Sequence, residues 1–268
     1  MNFFSFKKNT TIKCRGEMAL EDLEKLNTKK EIYEFFLPEP IIPELLYWVG
    51  PSPILHLPSN MMVMPGGHKY SRDEHPFMMA LEVGMDSLEE FYAYFSPLNL
   101  VEMYGIKREG LLGEDLPPWE LPWLLRKRVL PSSEGGLGSE HGVSFFGPAS
   151  PEKVTLEMKR LNSVRESISR KGYRPKLTGH IEGFFLRSGD KYRFFVLGGK
   201  HRAAVLGLMN DGRVPVRMRA SGPRVVDRGD SSNWPLVRNK SISEELALKV
   251  FDAYFDTIPS SERIALAR

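Results

Sequence analysis

The run Tyr192-Arg-Phe-Phe-Val-Leu-Gly-Gly-Lys-His-Arg-Ala-Ala-Val-Leu constrains this chain more than any other stretch. Alternating aromatic and aliphatic residues predict a strand to Leu197, and Gly198-Gly199 lets the backbone turn sharply. Lys200 to Met209 then has helical composition. The first turn of a helix presents unpaired N–H groups at the positive end of the dipole. Lys200, His201 and Arg202 add three cationic side chains at that same end, where they oppose the dipole rather than complement it. A sequence shaped by stability alone would avoid that, so the junction reads as an oxyanion site, with Arg202 able to grip a phosphate through two bonds. The alternative is a plain tight turn with three solvated side chains.

The flanking pattern builds a domain around the junction. Ser150-Pro151-Glu152 predicts a helix start, with Val154, Met158, Leu161, Val164 and Ile168 at helical spacing and a stop at Gly172. Gly179 to Arg187 and Tyr192 to Leu197 predict a hairpin turning at Ser188-Gly189-Asp190. Val214-Pro-Val-Arg-Met predicts a further strand, at an edge because of its proline. A last helix is expected from Ser243 to about Phe255.

Upstream, residues 17–37 predict an amphipathic helix. Residues 38–66 carry seven prolines and predict extended segments, and short helices are expected from Asp86 and from Asn99. Residues 110–150, rich in Gly and Pro, predict a linker or mobile loop. Charge divides similarly. Residues 1–150 hold 14 Lys and Arg against 21 Asp and Glu, net −7, and the remainder hold 23 against 13, net +10. The expected organisation is therefore an N-terminal helical, proline-rich module over 1–148 and an α+β domain over 149–268, the basic half facing an anion or docking on the acidic one. Cys14 is the only cysteine, which excludes an intramolecular disulfide, and no apolar run is long enough to span a bilayer. The first residues lack the long apolar stretch of a signal peptide, so a cytoplasmic protein without a membrane partner is the default reading.

The junction, with the Ser167-Ile168…Gly172 lead-in and the strand at 214–218, resembles the ParB/sulfiredoxin superfamily over about residues 150–219. The wider layout is similar to uncharacterised bacterial ParB-like proteins. The resemblance implies a nucleotide (ATP, ADP or CTP) bound with Mg2+ at Gly198, Gly199, Lys200, His201 and Arg202. Members use it to phosphorylate a sulfinic acid or free serine, or to drive a clamp on DNA. Lys200 stands where sulfiredoxins have their reactive cysteine, which argues against sulfinic acid repair. Gly198 stands where the serine kinases have an acid, and one good helix after residue 219 is too little for a sequence-reading DNA module.

The expected function is phosphotransfer from a nucleotide to a small hydroxylated metabolite. The alternatives are a non-enzymatic nucleotide switch or scaffold, and a binder of nucleic-acid backbone. The acceptor hydroxyl needs a base: Glu182, between two flexible glycine positions and on one strand face with His180, is the first candidate, and Glu152 or Glu157 on the lead-in helix are others. His201 is a further catalytic candidate. Lys153, Arg160 and His180 are candidate substrate contacts, or else solvated charges. His68 and His75 could serve a second substrate or a metal, with no third ligand indicated by spacing.

Overall fold

A computed structural model describes residues 11–15, 32–36, 54–125, 135–209, 212–219 and 222–256, with isolated positions at 262 and 265. Strands β1 (Thr11–Arg15), β2 (Ile32–Phe36), β3 (Ile54–Pro58) and β4 (Met62–Val63) are followed by helices α1 (Pro76–Val83), α2 (Met85–Tyr94) and α3 (Leu100–Tyr104). Then come α4 (Pro151–Lys171), α5 (Pro175–Thr178), β5 (Ile181–Ser188), β6 (Lys191–Gly198), α6 (Lys200–Met209), β7 (Arg213–Met218), β8 (Val225–Asp227), α7 (Pro235–Arg238) and α8 (Glu244–Asp252).

The fold is a mixed sheet with helices on both faces, in keeping with an α+β class. Its order is β1-β2-β3-β7-β5-β6-β4, with β8 paired to β5. The strands β3 and β4 pair with β7 and β6, so residues before and after 148 share one sheet. Period-two alternation divides the two cores. Tyr192, Phe194 and Val196 face a core built with α1, α2, α4 and α6, where Val154, Leu161 and Ala203–Leu206 are buried. Phe195, Phe184 and Leu186 face the other core, against α3, α8, Trp123 and Trp234.

Local signals act as expected where they are strong. Ser150 caps α4 by accepting from the Lys153 N–H, Gly172 ends it, and Ser243 and Asn99 cap α8 and α3. Three expectations need correction. The helix expected over 17–37 is a strand at Ile32–Phe36, where β-branched and aromatic residues pair in parallel with both neighbours; residues 16–31 lie outside the described set. The strand with Pro215 is interior, between β3 and β5. Its pairing with β5 begins at Val216, just past the proline, so no ladder bond to β5 calls on the missing N–H. The described part of 110–150 is irregular but packed, with Leu121, Trp123, Leu124 and Phe146 buried, so it is not a linker. Among the described residues no helix is long and apolar enough to cross a membrane.

Candidate functional site

The Gly-Gly turn brings three strands to one rim. Gly198 lies opposite Glu182 on β6, and Arg217 lies opposite Glu182 on β7, so Arg217, Glu182 and Gly198 form one row across the sheet. Gly183 pairs with Val196, which leaves Leu197 as the extra residue of a β-bulge beside Glu182. Gly199 has φ +81, and a side chain there would meet Arg202 at 3.0 Å and the Ile181 backbone at 3.1 Å. Nothing lies within 4 Å of a side chain placed at Gly198, so this turn has open space beside it.

His180, Glu182 and Arg217 are half-buried on this rim. Burial holds the His180 imidazole below its ordinary value, and the positive charges of Arg217 and Arg202 act the same way against the opposing charge of Glu182. Arg202 is committed to the backbone: its guanidinium donates to the carbonyls of Thr178 and Gly179, and so ties the first turn of α6 to the turn before β5. Tyr173 supports the same turn, its hydroxyl donating to Gly179 O at 3.5 Å and accepting from the Ile181 N–H at 3.3 Å. The Lys200 ammonium sits 4.1 Å from the centroid of the Phe145 ring.

Behind α6 lies a second, sealed group. The Glu157 carboxylate is fully buried and accepts from Lys153 Nζ at 2.8 Å, Ser144 Oγ at 2.9 Å, Arg160 at 3.5 Å and His201 Nε2. Burial alone would raise its carboxyl. The His201 hydrogen bond, the His201 and Lys200 charges and the Lys153 hydrogen bond outweigh that and hold it far below the usual carboxylate range. The carboxylate fixes the His201 tautomer, with the proton on Nε2 and the lone pair on Nδ1, while the ring stacks on Phe77 at 4.8 Å. Burial holds His201 below its ordinary value despite Glu157.

The sequence candidates therefore separate. Glu182, His180, Gly198, Gly199 and Arg202 come together at the rim, whereas Lys153, Arg160 and His201 gather on Glu157, and the Lys200 ammonium lies on that second side, over Phe145, with its charge acting on Glu157, His201 and His75. Lys153 is neither a free phosphate contact nor a solvated charge, since 3% of its side chain is exposed. Glu152 joins neither group: its side chain is 63% exposed beside His141, about 140° around α4 from Glu157. Arg217 is the rim residue that sequence reading did not single out; alternation of Val214, Val216 and Met218 inward marks its face, but only the β5–β7 pairing places it beside Glu182. Among the described residues no group of three or more His, Cys, Asp or Glu side chains is placed to hold a metal ion.

His75 joins the buried group from α1. It is fully buried, its Nδ1 accepts from the Phe77 N–H at 3.2 Å, its Nε2 has no hydrogen-bond partner among the described residues, and its ring lies 3.9 Å from that of Tyr70. Burial, then the charges of His68, His201 and Lys200, push it well below 6.5. In the unfolded chain this imidazole takes a proton as pH falls through 6.5, and in the folded chain it does not. Its stabilising effect is thus complete above 6.5 and is lost on acidification, at up to about 1.4 kcal/mol per pH unit. Urea midpoints at pH 7.5 and 5.5 should show that loss, and His75→Phe should flatten the dependence.

No protein-family model matches the chain and no curated protein matches it, so the reading of this rim rests on its own residues and on the resemblance carried by the Gly-Gly-Lys-His-Arg junction.

Proposed function

We propose that the protein is a nucleotide-dependent phosphotransferase acting on a small hydroxylated metabolite. The observation that carries this reading is the row Arg217–Glu182–Gly198, which sets Glu182 opposite a glycine with open space beside it, two residues before α6. In this reading the backbone N–H groups of the first turn of α6 and Lys200 hold the phosphates of ATP, ADP or CTP. Arg202 keeps that turn in place through the Thr178 and Gly179 carbonyls. Glu182 takes the proton of the acceptor hydroxyl as the hydroxyl oxygen bonds to the terminal phosphorus, and the bond from that phosphorus to the rest of the nucleotide breaks, releasing a nucleoside diphosphate from ATP or CTP and a monophosphate from ADP. His201, held by Glu157, positions the first turn of α6. Mg2+, implied by the resemblance, has no resident ligand set among the described residues and would arrive on the nucleotide's phosphates.

Calorimetry with ATP, ADP, CTP and Mg2+ tests the first step. Lys200→Ala should weaken binding tenfold or more, the loss of one charge-assisted contact of about 1.5–3 kcal/mol. Glu182→Gln should keep that binding and lower acceptor-dependent turnover by about 10²–10⁴-fold. Absence of any nucleotide binding by the wild type would sink the reading. A non-enzymatic switch is the second reading, favoured by the contacts of Ser144 with Glu157 and Phe145 with Lys200, which let a ligand at Lys200 reorder the 135–150 segment. Nucleotide binding without turnover in the presence of any acceptor would select it.

A further inference from the structure

Across the rim, Glu182 stands between two different neighbours. On one side is Gly198, which leads into α6; on the other is Arg217, on β7. Adjacent strands are about 4.8 Å apart and directly opposed residues present their side chains to the same face. Arg217 is thus one strand beyond the carboxylate, on the side away from the proposed phosphate loop. It is half-buried, and among the described residues its guanidinium has neither an ion pair nor a hydrogen bond, in contrast to Arg202, Arg165 and Arg228, which are all engaged. Glu182, its neighbour across the strands, likewise makes no ion pair with it. The charge of Arg217 nevertheless reaches His180, two residues before Glu182 in the chain. An arginine fork left open and half removed from solvent is suited to a planar or tetrahedral oxyanion.

We propose that Arg217 anchors an oxyanion, a carboxylate or a phosphate, carried by the phosphoryl acceptor. The proposal rests on the phosphotransferase reading for the word acceptor and on the row across the sheet for the place. The order donor phosphates, base, anchor follows the order β6, β5, β7. One strand spacing, about 4.8 Å, separates the backbone positions that carry the base and the anchor, so a small acceptor can reach both. His180 lies on the same rim and supplies a second donor.

The test uses a matched series of probes on the full chain: glycerol, glycerate and glycerol 3-phosphate, titrated calorimetrically with and without ADP. Wild type should bind one of the anionic members at least tenfold more tightly than glycerol, and the member preferred identifies the oxyanion as carboxylate or phosphate. Arg217→Met should erase that preference while leaving affinity for ADP and for glycerol unchanged, and Arg217→Lys should restore part of it. Arg217 lies outside both apolar cores, so unchanged thermal midpoints serve as the control for folding. A preference that survives Arg217→Met, an equal loss of ADP affinity in that variant, or no anionic preference in wild type would each overturn the proposal. An Arg217-dependent preference in a protein that binds no nucleotide would leave the anchor standing and remove the phosphotransferase reading instead.

Discussion

Glu157→Leu should destabilise the fold by about 3–5 kcal/mol, the usual cost of leaving one partner of a buried ion pair alone. The reason is specific to the site. Lys153 and Glu157 lie one turn apart on α4 with 3% and 0% of their side chains exposed, and neither can turn to water without moving the helix. Removing the carboxylate strands the Lys153 ammonium in the core and also deprives Ser144 and His201 of their acceptor. The double variant Lys153→Met/Glu157→Leu should recover most of the loss, because apolar side chains of similar volume replace buried ion pairs at little cost. Urea unfolding of the two single variants and the double measures this directly. A loss under about 1 kcal/mol for Glu157→Leu would show that Lys153 finds solvent and that the group behind α6 is not sealed.

Gly183→Ala should prevent folding or cost more than about 3 kcal/mol, for a steric reason that no side-chain motion relieves. An added methyl group would sit 2.0 Å from the carbonyl oxygen of Phe195 and 2.8 Å from the Phe194 ring. That oxygen belongs to β6, the partner of β5, so clearing the clash requires opening the hairpin at the bulge. Glu182 is the adjacent residue and would be displaced with it. Gly198→Ala is the matched control: no atom lies within 4 Å of the new methyl, and its stability should change by less than about 1 kcal/mol. Circular dichroism and unfolding midpoints of the pair separate the two glycines of the rim, one required by packing and one not.

Much of this architecture is legible residue by residue. Ser150, Pro151 and Gly172 delimit α4 because caps and terminators act within one turn of themselves. The hairpin of β5 and β6 and the start of α6 are local in the same sense. Glu182 and Glu157 are both legible as acids near the junction, but their environments are not. Whether a helical glutamate is solvated or sealed depends on what packs over it, and here Ser144 arrives from the preceding loop and His201 from α6. Ile32–Phe36 is the reverse case. Its apolar spacing fits a helix, and only parallel pairing with β1 and β3 makes it a strand. Pro215 misleads in the same way: proline forbids a donor, not an interior strand, and the sheet supplies a place where that donor is not needed.

By itself, the sequence determined the local elements of the second half, the Gly-Gly turn into a cationic helix start and the basic charge of that half. Each of these depends on backbone sterics, capping or composition within a few residues. Only the tertiary structure decided that Arg217 stands beside Glu182, that Arg202 is held by two carbonyls and that Glu157 is closed off with Lys153. Those outcomes depend on which strands lie side by side and which loop covers a helix, and such long-range pairings are set by burial of the two cores, not by any residue's own preference.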